Sequence, residues 1–267
     1  KTPNLDRLAR QGTLFTQFYV CSGVCSPSRT AFMTGQYPAR HRMHGHLATH
    51  EQNAARGMPD YLDPKVPTIT RILHDAGYAT AHYGKWHLGH GEGAPVPAEY
   101  GIDDYRCVAS NGQTWETKGP GFRARSAGLI IDETIRFIEA HRDKPFFVQS
   151  WLLDTHAVLD PSEEQLVPYA RYTPRGTNYK GSLQVYYGAA TAADKEIGRL
   201  LQKLDDLGMS RNTIVIFSSD NGPEDIHLGE ASHSGVGSAG PFRGRKRSLY
   251  EGGVRTPFIV RWPAGTP

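Results

Sequence analysis

The feature that most limits how this chain can fold is an alternation along its length. Short apolar runs suited to buried strands are separated by segments of helical period. Phe146 to Leu153 is almost continuously apolar, as expected of a strand covered on both faces, and Thr213 to Ser218 repeats the pattern. Tyr78 to Tyr83 and Phe258 to Trp262 read as further strands. A first helix is expected over Leu5 to Arg10, capped by Thr2 or Asn4 and closed by Gly12. A second runs from Pro27 to Thr34 and ends at Gly35. Pro67 to Ala76 carries Ile69, Ile72 and Leu73 on one helical face, and Gly128 to His141 keeps Ile131, Ile135 and Ile138 in register. Ser182 to Leu207 is the longest helix, with Ile197, Leu200, Leu201, Leu204 and Leu207 at helical spacing. Residues 36–65, 89–121 and 222–245 read as loops. Helices alternating with short apolar strands predict an α/β fold, a sheet with helices on both faces. No repeat or linker interrupts it, so 1–267 reads as one domain.

Composition narrows the function. At 38% hydrophobic and 21% charged residues the chain is globular rather than disordered. A net charge of +3, spread along the chain, gives no footprint for nucleic acid, though it is compatible with a small anion. The 3 Cys (Cys21, Cys25 and Cys107) are odd in number and lack paired Cys-x-x-Cys spacing, which argues against a disulfide scaffold, a zinc ribbon or a thioredoxin-type site. No apolar run reaches the roughly 18 residues of a membrane span. No signal peptide is visible, and because Lys1 opens directly into a helix signal, both ends are expected to be missing.

In sheets of this kind chemistry gathers at the carboxyl ends of strands. Polar clusters sit at three such ends: Lys85 and His87 after Tyr83, His156 after Leu153, and Asp220-Asn221-Gly222 after Ser218. Cys25 stands just before a predicted helix, whose free N–H groups favour an anion and lower a thiol pKa. Arg29 follows one turn later on the same face. Taken alone, Cys25 could equally be a small core residue, Lys85 and Lys246 surface cations, and Asp220-Asn221-Gly222 a plain turn.

The neighbours change that balance. Cys25-Ser26-Pro27-Ser28-Arg29, followed by Thr34-Gly35 and Pro38, resembles the signature of type I sulfatases, in the alkaline phosphatase-like superfamily. The resemblance extends to Thr2-Pro3-Asn4-Leu5-Asp6-Arg7-Leu8, to Gly84-Lys85-Trp86-His87-Leu88-Gly89, to Asp220-Asn221-Gly222, and to Lys246 with Glu251-Gly252-Gly253-Val254-Arg255. It implies an alkaline phosphatase-like fold with a mostly parallel or mixed central sheet, and hydrolysis of a sulfuric ester of a carbohydrate or aryl alcohol. It implies that a maturation enzyme oxidises Cys25 to formylglycine, whose hydrate attacks sulfur and then expels sulfate. Arg29 would hold the hydrate, Lys85 and Lys246 the sulfate oxygens, His87 would assist deprotonation or collapse, and His156 would protonate the leaving oxygen. Asp220 and Asn221 would ligate Ca²⁺, with converted Cys25 a further position on the ion. His156 lacks the flanking Pro residues common in the family. The family's N-terminal strand, ending in paired Asp ligands, and its C-terminal subdomain are expected to lie outside this sequence, which by itself would be inactive and poorly stable. The resemblance also implies a periplasmic or extracellular location.

Two other readings stand beside this one: a phosphonate or phosphate monoester hydrolase of the same superfamily, and a catalytically dead relative that binds sulfated glycans. His41, His44, His46 and His50 form a second cluster, open to a transition metal, a substrate-contacting loop or a plain polar loop. His227 and His233 are placed at the pocket rim. Trp86, Cys21 and Cys107 are read as packing or unassigned residues.

Overall fold

The computed structural model describes residues 1–117, 119–177, 179–226 and 229–265. His227, named above for the pocket rim, lies outside the described residues. The expected α/β alternation is present, but the strands fall into two three-stranded sheets.

The first sheet is parallel. Its centre is β2 (Ala79–Lys85), flanked by β3 (Asp104–Val108) and β4 (Phe146–Trp151). Every residue of β2 is buried. Ala79, Ala81 and Tyr83 face Phe122, Ile130 and Phe137 of α5 (Phe122–Ala140). The opposite side packs against Met33 of α2 (Cys25–Thr34), with Trp86, Leu88, Tyr100 and Ile102, while α4 (Ile69–Asp75) leans on β2. Helices therefore cover both faces of this sheet. Gly84 allows the crowded end of β2: its φ is 106°, and a Cβ there would lie 2.0 Å from the Trp151 carbonyl oxygen.

The second sheet is antiparallel, with β6 (Phe258–Arg261) between β1 (Thr13–Phe15) and β5 (Val215–Ser218). Its inner face meets Leu8 of α1 (Pro3–Gln11) and Leu201 of α7 (Ser182–Asp206). Helix α7 also packs on α5, where Arg199 pairs with Asp132 at 2.7 Å and Lys203 with Glu139 at 2.9 Å. These long helices join the two sheets. Short helices α3 (His50–Ala55), α6 (Glu163–Leu166) and α8 (Glu251–Val254) sit in the connections.

Several expectations need correcting. Helix α2 begins at Cys25, two residues before Pro27, so Cys25 is its first residue. Helix α5 starts at Phe122 rather than Gly128, because Gly121 at φ 68° turns the chain into it. Strand β3 and helix α3 lie in stretches read as loop; β3 is a sheet edge with exposed charge, which hid its period. The Thr213–Ser218 run is not buried on both faces: β5 is also an edge, and Ile216 is 60% exposed. Strand β4, likewise an edge, is only partly buried.

The cap of α1 also differs. Neither Thr2 nor Asn4 caps the helix with its own side chain. The buried Asp194 carboxylate of α7 does so, accepting from the backbone N–H groups of Asn4 (3.1 Å) and Leu5 (2.9 Å) and from Asn4 Nδ2 (2.9 Å). Asp194→Ala should therefore cost about 2 kcal/mol. Denaturant titration of the full-length protein checks it, and an unchanged midpoint would refute the long-range cap.

Candidate active site

The site is built around Cys25. As the first residue of α2 it sits where unpaired backbone N–H groups and the helix dipole favour negative charge. Its Sγ receives a hydrogen bond from Lys85 Nζ at 3.3 Å and donates to Asn221 Oδ1 at 3.5 Å. It also engages the rings of His87 and His156. Burial, the largest effect, and the Asp220 carboxylate push the thiol pKa up; the neighbouring His156 and His87 imidazoles and the charge of Lys85 outweigh them and hold it well below its ordinary value.

Each partner is placed by a different element. Lys85 is the last residue of the fully buried β2, and His87 follows at φ 58°, a strained conformation for a non-glycine residue. His87 Nε2 bonds the Leu47 carbonyl at 3.1 Å, while buried Nδ1 has no conventional partner. Burial, joined by the charge of Lys85, lowers the His87 pKa, so its ring is neutral at neutral pH; contact with Cys25 opposes this. Lys85 is lowered mainly by burial, with the Cys25 thiolate countering. His156 comes from the loop after β4, where Nδ1–H donates to the Ala157 carbonyl at 2.6 Å, turning Nε2 toward the site.

Arg29, one turn into α2, donates through Nε (2.9 Å) and Nη2 (2.7 Å) to Asp220 Oδ2, and through Nη1 to the Lys85 carbonyl at 2.6 Å. Its guanidinium lies 4.6 Å from the Trp151 ring centroid. Asp220, in the turn after β5, is held at about 2: burial would raise it, but Arg29 and then Lys85 stabilise its charge. Asn221 Nδ2 donates to the Gly222 carbonyl at 2.8 Å, which aims Oδ1 at Cys25. Gly222 is required here. It donates to the Gly253 carbonyl at 2.8 Å, and a Cβ on it would lie 1.9 Å from the Gly252 oxygen. The Asp-Asn-Gly and Glu-Gly-Gly runs are two sides of one close backbone contact.

Lys246 is buried nearby and reaches Lys85 and Asp220 through its field, but its ammonium is bound to Glu224 Oε2 at 2.9 Å. Glu224 was missed in the sequence. Its carboxylate also pairs with Arg247, and its carbonyl accepts from Arg245 Nε at 2.8 Å. Burial raises its pKa, yet hydrogen bonds from Lys246 and Arg247 bring it down to about 2. The available signal was an acid four residues past Asp220 facing the run Arg245-Lys246-Arg247.

A cleft of about 220 Å³ opens from Lys85 and His156, walled by Val108, Ala109, Phe122, Leu153 and Arg123. The second histidine cluster does not assemble. His50 pairs with Asp60 at 2.7 Å, His41 keeps a buried Nε2 without a partner, and exposed His46 lies in the field of Arg56, His87, Arg247 and Cys25. Among the described residues no group of three or more His, Cys, Asp or Glu could hold a metal. His233 bonds Ser182 Oγ at 3.2 Å, at the start of α7. Trp86 is a packing residue, fully buried against Tyr100 and His82. Cys107 is buried, its thiol pKa pushed up by burial, and Cys21 is an exposed free thiol.

The sequence model of the Sulfatase family matches residues 1–267. N-acetylgalactosamine-6-sulfatase of Canis lupus familiaris is 33% identical over 302 residues, covering 100% of this chain and 53% of that protein. Among solved structures, Ps i-CgsB in complex with k-i-k-neocarrahexaose superposes with a TM-score of 0.80 at 24% identity, covering 100% of this chain and 61% of that one. The phosphonate monoester hydrolase of Agrobacterium radiobacter gives 0.66 at 18% identity, over 98% of this chain and 63% of the other. The chain belongs to the sulfatase family, in the alkaline phosphatase-like superfamily. It spans about half the length of the curated relatives it matches. No helix among the described residues is long and apolar enough to cross a membrane.

The two depressed carboxylates set a pH dependence. Asp220 falls from its ordinary 3.8 and Glu224 from 4.5, each to about 2, so the stabilisation they provide is complete above the ordinary values and lost as pH falls toward about 2. Tryptophan fluorescence of the full-length protein should show acid destabilisation in that window, reduced in Asp220→Asn. An identical acid profile in that variant would contradict the assignment.

Proposed function

We propose that the protein hydrolyses sulfate esters of sugars or aryl alcohols, with Cys25 converted to formylglycine as the nucleophilic residue. The observation that carries this is the convergence on Cys25 Sγ of Lys85, His87, His156 and Asn221, from three separate strand ends, beside the Arg29–Asp220 pair. Such a constellation is far more than a buried thiol needs. When hydrated, formylglycine supplies one hydroxyl that takes the sulfuryl group and a second that expels it as sulfate.

The chain's own residues do the rest. Lys85, buried with Nζ 3.3 Å from Cys25 Sγ, donates to an oxygen of the sulfuryl group beside the nucleophile, and Lys246 supplies a further cationic side chain nearby. Neutral His87 takes a proton from the nucleophilic position. His156, fixed at Nδ1, offers Nε2–H to the leaving oxygen at the cleft mouth when its ring is protonated. Arg29 holds Asp220 charged and spans to the end of β2.

The donor set at the β5 turn suits a hard cation. Asp220 and Asn221 present a carboxylate and an amide oxygen, the ligand types Ca²⁺ takes. Bound there, Ca²⁺ would supply positive charge next to residue 25, and the remaining oxygen ligands would come from elsewhere in the protein. The partners inferred are a sulfated glycan or aryl sulfate and a formylglycine-generating enzyme, outside the cytoplasm. The Asp220 and Glu224 carboxylates temper the surrounding cations, which favours a monoanionic sulfate over a dianionic phosphate monoester.

Full-length protein co-expressed with the maturation enzyme should turn over nitrophenyl sulfate faster than nitrophenyl phosphate. Cys25→Ala should abolish turnover, and Lys85→Ala should lower kcat about 10²–10³-fold. A preference for the phosphate would move the protein to the phosphoester branch, and no turnover of either by fully converted protein would sink the enzyme reading. In unconverted protein, the ultraviolet thiolate signal lost in Cys25→Ser should titrate well below the ordinary thiol range. Lys85→Met should move its titration upward; a signal that appears only in the ordinary thiol range would contradict the electrostatics of the site.

A further inference from the structure

The segment that carries His156 has little structure of its own. Between β4 and α6 the chain runs as turns and bends, with Val158 62% exposed. Leu159 anchors its far end in a small cluster with Leu166, Val185 and Ala189. Thr155 reaches the Tyr186 hydroxyl at 3.3 Å, and the His156 N–H donates to the Leu153 carbonyl at 3.0 Å. None of these restrains the carbonyls of residues 156 and 158.

One side chain does. Arg123, the second residue of α5, sends Nε to the Val158 carbonyl at 2.9 Å and Nη2 to the Leu153 carbonyl at 3.2 Å and to the His156 carbonyl. A planar guanidinium has fixed donor directions, so three acceptors on one fork fix their relative positions. The anchor is rigid: α5 packs along β2 and β4, and its first turn is tied to α6 by Gln165 Nε2 on the Ala124 carbonyl at 2.9 Å. Arg123 and His156 also border the same cleft.

We propose that Arg123 is a positioning residue for the reaction, holding the 153–158 turn so that the His156 ring meets the leaving oxygen. The inference rests on the reading of His156 as the general acid. Arg123 acts through the backbone of that turn, and its loss lets the imidazole drift from the reacting atoms while Cys25, Lys85 and Arg29 stay in place. A misplaced general acid has a specific signature. It harms poor leaving groups, which need the proton, and spares good ones.

The test uses the full-length, formylglycine-converted enzyme and a series of substituted phenyl sulfates whose phenols span a wide acidity range. Formylglycine content is checked by mass spectrometry, and the slope of log kcat against phenol pKa is measured. Arg123→Gln should steepen that slope as His156→Ala does. The loss should be about 10–10²-fold for the least acidic phenol and under about threefold for nitrophenyl sulfate, with KM nearly constant. Arg123→Lys, which keeps the charge and part of the bonding, should recover part of the loss and serves if the Gln variant folds poorly. The double variant Arg123→Gln/His156→Ala should be no slower than His156→Ala alone. A uniform loss across the series, or losses that multiply in the double variant, would overturn the positioning role. If His156→Ala itself leaves the slope unchanged, the general-acid reading falls and this inference with it. If His156→Ala steepens the slope and Arg123→Gln does not, only the inference fails.

Discussion

The Arg29–Asp220 ion pair is the contact on which the site depends. The two side chains are 8% and 18% exposed, so the pair sits where a lone charge would be costly. Arg29 bonds Asp220 with two nitrogens and turns a third to the Lys85 carbonyl. One guanidinium thus ties the first turns of α2 to the end of β2 and to the turn after β5. These pieces belong to different layers, and β2 and β5 lie in different sheets. The pair sets the charge balance as well. Arg29 keeps Asp220 ionised, Asp220 opposes ionisation of the Cys25 thiol, and Lys85 and the two imidazoles must overcome that opposition.

A second charge cluster supports the first. Glu224 gathers Lys246 and Arg247 with its carboxylate and Arg245 with its carbonyl. Arg247 N–H then donates to the Gly23 carbonyl at 2.8 Å, beside the start of α2. The turn with Lys246 is thereby docked against the segment with Cys25. The glycine contact between residues 222 and 252–253 closes the same region from below, where only Cβ-free backbones can approach so closely. Anchoring of this kind, through buried ion pairs and backbone contacts rather than local helix structure, explains how long polar loops can present a defined site.

Much of the fold was legible in the chain. The helices from 69, 122 and 182 and the strands at 79, 146 and 258 were anticipated in kind, because each buries a face wide enough to leave a period. Their starts were less legible. Cys25 begins α2 without a capping side chain, and Gly121 begins α5 from a left-handed turn. Strand β3 escaped because an edge strand with charged residues has no apolar rhythm, and the open side of β5 escaped because a run of β-branched residues looks the same whether one face or both are covered. The cap on α1 could not be read locally, since its acceptor lies 190 residues away.

The sequence by itself determined which chemical groups are present and in what local setting. Cys25 stands at a helix start with Arg29 one turn on, Lys85 and His87 end a strand, and Asp220-Asn221-Gly222 follows another; residue type and short-range spacing suffice for that. Only the tertiary structure decided which groups meet. It set the four His of residues 41–50 apart, turned Lys246 onto Glu224, and placed Arg123 under the turn that carries His156. The reason is physical. A charged side chain takes whichever counter-charge or carbonyl the packed layers bring within about 3 Å, and that partner is selected by the crossing of helices and sheets rather than by neighbours along the chain.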